Sequence, residues 1–188
     1  MMQKPLRKIY QYLRAQEGVA YLEFALSLPF MLALFMGSVE VTRYIIIAQK
    51  VEKSSVTVSD VVAQSKTIGT TELNQLVTAV SEVMQPFSFG NNGYVVITSV
   101  SKVGTNAPMV NWQYRGGGTW TQNSQVGSTG LTATLPNGLT LNDKDTVIIA
   151  EVFYNYQPII VNNTIAGRQI YKLAVFKPRL GNLKTLGT

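Results

Sequence analysis

Glu23 is a lone carboxylate five residues after Gly18, in Gly18-Val19-Ala20-Tyr21-Leu22-Glu23-Phe24, at the mouth of an apolar stretch. A carboxylate at the edge of hydrocarbon is costly unless something pairs with it, so the chemistry open to Glu23 is the neutralisation of a cation. Glu40 and Arg43 stand three apart on the same stretch and can pair with each other. Elsewhere the reactive inventory is short. The chain has no His and no Cys, which excludes a Ser-His-Asp triad, a thiol nucleophile and the usual zinc spheres. Gly116-Gly117-Gly118 lacks the Lys-Ser/Thr of a phosphate loop and reads as a flexible turn. Asp143 and Asp145 flank Lys144, too few oxygens for a calcium ion. No catalytic residue, metal site or cofactor is expected. Asn162-Asn163-Thr164 has the form of a glycosylation acceptor.

The element that must position Glu23 is a helix. The apolar run 24–39, with Phe24, Leu26, Leu28, Pro29, Phe30, Leu32, Leu34 and Phe35, is interrupted only by Ser27 and Ser38 as polar side chains. Continued through Ile45, Ile46, Ile47 and Ala48, it reaches the roughly 20 residues that a bilayer requires. An ordinary cleaved signal needs small residues at −3 and −1, but cuts after Gly37 or Ser38 put Phe35 or Met36 at −3, so the segment is expected to stay attached. Beyond it Val41, Ile45, Ala48, Val51, Ser55, Val58 and Val62 recur at three- and four-residue steps. One helix over about 19–64 follows, with a loosening or kink at Pro29. Such a helix outruns any bilayer, so its outer half must pack on something.

After it, a second helix capped by Thr71 carries Leu73, Leu76, Val77, Val80, Val83 and Met84 on one face and ends at Pro86. Segments 94–103, 109–114, 146–156 and 169–176 are rich in β-branched and aromatic residues and bounded by Gly, Asn and Pro, which predicts strands. The fold class is therefore α+β: a long N-terminal transmembrane and amphipathic helix on a C-terminal antiparallel sheet, with a short helix between. In the third strand Ile148, Ala150, Val152, Tyr154 and Tyr156 share one face, Glu151 and Asn155 point the other way with Ile149 and Phe153, and one of the two faces is expected to meet the long helix. The uncharged stretch 116–142 is expected to be a hairpin-like surface insertion, with Trp112, Tyr114 and Trp120 either as anchors for a partner or as buried sheet aromatics.

The leader ending in Gly, followed after four residues by Glu23-Phe24 and an apolar run with Leu28-Pro29, resembles the class III signal of type IV pilin-like proteins. Glu23-Phe24-Ala25-Leu26, Leu28-Pro29, and Glu40 with Arg43 are together similar to the TadE/TadF-like minor pilins of the Tad (Flp) pilus system, and Glu151 to Pro158 weakly resembles their Tyr-x-Tyr-x-Pro strand end. The resemblance implies cleavage between Gly18 and Val19 by a membrane prepilin peptidase. It also implies that Glu23 pairs with the new amine of Val19 in an adjoining subunit. The expected division is a leader 1–18, an anchoring helix 19–66 and an exported domain 67–188. The implied partners are other pilin subunits, the assembly platform, the peptidase and the bacterial inner membrane, with the N-terminus cytoplasmic before processing. The implied role is pilus assembly and surface adhesion. Some relatives carry a cysteine pair, which this chain lacks.

Composition fits an exported membrane protein. Charged residues are 14%, against about 25% in ordinary soluble domains. The net charge of +6 is half leader: Lys4, Arg7, Lys8 and Arg14 against Glu17 supply +3. A basic leader before an apolar run directs the C-terminal part outward. No basic patch interleaved with aromatics remains, so nucleic acid is not an expected partner, and neither is a small-molecule substrate. The competing interpretation is an uncleaved single-pass anchor whose exported β domain acts as a scaffold or binding module.

Overall fold

Leu, Ile, Val, Met and Ala dominate the N-terminal third, and all but the β-branched residues among them favour helix. In the computed structural model, which describes residues 16–136, 138–160 and 167–187, this segment forms helix α1, Gln16–Ala63, 48 residues long and unbroken through Pro29. The chain divides into two compact units between Arg43 and Tyr44. In the first unit the described side chains of α1 are almost all exposed.

In the second unit α1 has a buried face. Ile47, Val51, Val58, Val62 and Ala63 are buried, and so are Ser54, Ser55 and Ser59. The small serines let the helix backbone come close to the sheet, and Ser59 Oγ donates to the carbonyl of Ile148 at 3.0 Å. The expected stripe is thus corrected at its start. Val41 and Ile45 are exposed, and burial begins at Ile47. Two ion pairs flank the packed face, Lys172 with Glu52 at 3.0 Å and Arg179 with Asp60 at 2.9 Å.

Helix α2, Thr70–Met84, buries Leu73, Val80 and Met84. Its N-cap is Gly69 rather than the expected Thr71. The Gly69 N–H donates to Glu72 Oε2 at 3.0 Å, so the third helical residue supplies the missing acceptor. A short turn of helix, α3 at Phe89–Asn92, leads into strands β1, Gly93–Ser101, and β2, Met109–Gly117, followed by β3, Thr146–Tyr156, and β4, Arg168–Phe176. All four pair antiparallel in the order β2-β1-β3-β4. The fold is the expected α+β.

β1 is buried along its whole length and β3 nearly so. That follows from their central places and from cover on both faces of the sheet. On one face, Val95, Ile97, Ile148, Ala150, Val152, Tyr154, Tyr156 and Ile170 join the α1 and α2 residues in the main core. The other face carries a second cluster of Val100, Val110, Val147 and Ile149, closed by Val126, Ala133 and Leu141. The stretch 116–142 is therefore no hairpin-like insertion but a cover laid over the sheet, held by Thr134 N to Val126 O and Ala133 N to Pro108 O, both 2.8 Å. Its composition hid this, because only a few apolar residues among many polar ones do the packing.

Gly116-Gly117-Gly118 is likewise not a flexible turn. Gly116 and Gly117 end β2 in register with Val95 and Tyr94. Gly117 has φ +133, a conformation that side chains disfavour, and a Cβ on Gly118 would lie 1.1 Å from the carbonyl oxygen of Gly90. The segment after β4 closes the domain. Arg179 N bonds the carbonyl of Ala63 at 2.8 Å, Gly187 N bonds that of Ile68, and Leu183 is buried.

Candidate functional site

α1 places the residues of the N-terminal motif along one continuous helix. Gly18 and Val19 are exposed near its start, and a Cβ on Gly18 would meet nothing within 4 Å. Glu23 is exposed on the next turn, and no ion pair among the described residues includes it. After it the apolar side chains are uncovered, from 39% exposed at Leu28 to 76% at Leu34, with Phe24, Leu26, Phe30, Leu32 and Phe35 between these values. Pro29 is exposed among them. An apolar surface of this size in water is untenable for a monomer, so lipid or other helices must cover it. The helix is the one candidate membrane span among the described residues, with a mean hydropathy of 1.9 over its most apolar window. Ser27 and Ser38 soften their polarity by donating to the carbonyls of Phe24 and Phe35. Glu40 and Arg43 form the expected pair, at 3.8 Å.

In the second unit the three aromatics considered as anchors separate. Trp112 is buried, and its indole N–H donates to the carbonyl of Leu183 at 2.7 Å, so it belongs to the core rather than to a docking surface. An irregularity beside Asn111 puts it there: Val100 pairs with Val110 but Ser99 with Trp112, so Val110 and Trp112 face opposite sides of the sheet. Tyr114 packs on the same core and its hydroxyl bonds Asn74 of α2. Burial raises its pKa above the ordinary value. Trp120 is half-buried against Tyr94, Val96 and Phe153.

The two acidic turn residues are engaged by the protein itself. Asp143 accepts from the N–H of Gly104. Asp145 pairs with Lys177 and accepts from the N–H of Asn142. These partners, Lys177 first, hold its carboxyl below the usual range. No cluster of three or more metal-ligating acids exists among the described residues. Asn162, Asn163 and Thr164 lie outside the described residues.

Sequence reasoning placed Glu151 on the face of β3 opposite Ile148 and Val152 but missed its environment. It is fully buried beneath the cover segment. Oε2 accepts from the hydroxyl of Ser124, and Oε1 accepts from Gln125 N–H at 2.8 Å and from Tyr171 OH at 2.9 Å. Ser124 Oγ in turn accepts from Val126 N–H at 3.1 Å. Burial, then the charge of Glu151, then their hydrogen bond push the Tyr171 phenol far above its ordinary pKa. The signal available in the sequence was the lone acid inside Thr146 to Tyr156, a strand otherwise free of charge.

Residues 18–55 match the family model described as TadE-like protein. No curated protein and no solved structure matches the chain.

Proposed function

We propose, on the premise that residues 18–55 are TadE-like, that this chain is a minor pilin of a Tad-like type IV pilus. It begins as an inner-membrane precursor with a cytoplasmic leader, is cut between Gly18 and Val19 by prepilin peptidase, and passes into the filament by way of the assembly platform. The observation that carries this reading is the coincidence of the family match with the uncovered apolar face of α1. One surface serves both stages, because lipid tails and neighbouring helices are equally apolar and exchange at little cost. Glu23 is exposed and without an ion pair among the described residues. It supplies the carboxylate for the amine of Val19 on the adjoining subunit, a pairing that is strong only where water is excluded. The domain beyond Tyr44 is exported and contributes to surface attachment.

N-terminal sequencing of the protein from its host membranes tests the reading. A start at Val19 is the expected result, and an intact leader would leave a plain membrane anchor. Gly18→Leu should accumulate the uncut precursor. Glu23→Ala should be cut at nearly the normal rate yet be depleted from sheared filaments about tenfold or more, as befits the loss of one desolvated ion pair. Normal incorporation of Glu23→Ala would sink the pairing mechanism.

A further inference from the structure

On the face of the sheet opposite α1, the N-terminal part of the cover segment stands off from the β1–β2 edge. It leaves a cleft of about 430 Å³ lined by Tyr94, Arg115, Thr121, Gln122 and Asn123. That volume falls within the usual size range of small-ligand sites. The lining is polar and carries a single formal charge. The Arg115 guanidinium is oriented by Gln113, whose Oε1 accepts from Nε at 3.0 Å and from Nη2 at 2.7 Å. Gln113 is neutral, and none of the ion pairs among the described residues includes Arg115, so its charge is aimed but not cancelled. Nη1 keeps its donors for a carboxylate.

The opposite wall is held by the buried carboxylate. Thr121, Gln122 and Asn123 immediately precede Ser124 and Gln125, which both donate to Glu151, and Gln122 Oε1 accepts from Gln169 Nε2 at 3.3 Å. Arg115 and Glu151 both pair with Val96, so the two charges lie in one row across the sheet, two strands apart. Their backbones are roughly 10 Å apart, two strand spacings, and the two side chains form no ion pair. Burying a carboxylate with neutral donors alone is costly, and replacing it and its donors together by apolar groups of the same volume would serve the core at least as well. What Glu151 provides is a fixed loop conformation, and that conformation forms one wall of the cleft.

We propose that this cleft binds an acidic sugar, a uronic-acid residue of a surface polysaccharide, with its carboxylate on Arg115 and its hydroxyls on Thr121, Gln122 and Asn123 beside the Tyr94 ring. A single cation among amides and a hydroxyl suits one carboxylate on a hydroxylated ring. A polyphosphate or nucleic acid backbone would call for several cations. The site lies wholly in the domain after Tyr44, so its failure would leave the pilus reading intact.

The test is calorimetric titration of the full chain in detergent with trigalacturonic acid, its methyl ester, and triglutamate. Saturable binding of the acid is expected. Methyl esterification and Arg115→Gln should each weaken it about tenfold or more, as loss of a charge-assisted hydrogen bond requires. Asn123→Ala, an exposed change, should weaken it severalfold. No saturable binding, equal binding by Arg115→Gln, or equal binding of the ester or of triglutamate would overturn the proposal. Circular dichroism of each variant separates lost binding from lost fold.

Discussion

Charge on this chain is sparse, 14% of its residues, so the setting of each carboxylate carries weight. Glu23 and Glu151 are the same side chain under opposite regimes. The first is exposed on an apolar helix without an ion pair among the described residues, and the second is enclosed with three donors. Removing the second carboxylate leaves those donors stranded, so Glu151→Ala should cost about 3–5 kcal/mol, seen as a large fall in Tm by thermal unfolding in detergent. Tyr171→Phe should cost about 1–2 kcal/mol, since it removes one hydrogen bond to a charged group. The phenol also sets an alkaline limit. Its folded pKa is raised above the ordinary 10.0, by burial first and then by Glu151. The stabilisation is therefore whole below about pH 10 and is lost as pH climbs toward the folded value. Unfolding curves at pH 9 and pH 11 should show that loss in the native chain and a smaller one in Tyr171→Phe. Of these two carboxylates, only the place of Glu23 at the mouth of the apolar run was legible in the sequence, because it depends on spacing alone. The ring of donors around Glu151 is assembled from Ser124, Gln125 and Tyr171, which are far from it along the chain.

At the scale of elements, periodicity carried most of the architecture. The four strands and both main helices follow from alternation, β-branched content and three- to four-residue apolar steps. Where the reading failed, the deciding contact was nonlocal. The buried face of α1 begins at Ile47 because the sheet begins there, and nothing in Val41 or Ile45 distinguishes them from Val51 or Val58. The cover over the second sheet face escaped notice because Val126, Ala133 and Leu141 are scattered among polar residues. The triglycine at the end of β2 looked like slack and is instead a point of closest approach, with Gly118 against Gly90. Gly118→Ala should therefore cost about 2–4 kcal/mol despite adding a single methyl group, because backbone must move to admit it. An unchanged Tm would contradict the packing described.

For the whole molecule, the two units live by different rules. The second has its own core, whereas the described part of the first is an uncovered apolar helix that needs an environment supplied from outside. Leu32→Arg should consequently spare the fold of the second unit while opposing membrane insertion by about 2.5–3.5 kcal/mol. Carbonate extraction of host membranes would read this as a shift of the protein into the soluble fraction. An unchanged membrane fraction would argue against residues 24–39 as the anchor.

The segment after β4 gives the domain a mechanical character. Arg179 holds the last turn of α1 by a main-chain bond to Ala63 and an ion pair to Asp60, while the carbonyl of Leu183 receives Ser99 Oγ and Trp112 Nε1 from the sheet. Tension entering through the helix thus meets a knot of bonds at its far end as well as the buried row from Ile47 to Ala63. A helix held along so many turns would leave its sheet by sliding many contacts together rather than by peeling them one at a time, which is the harder way to part the two.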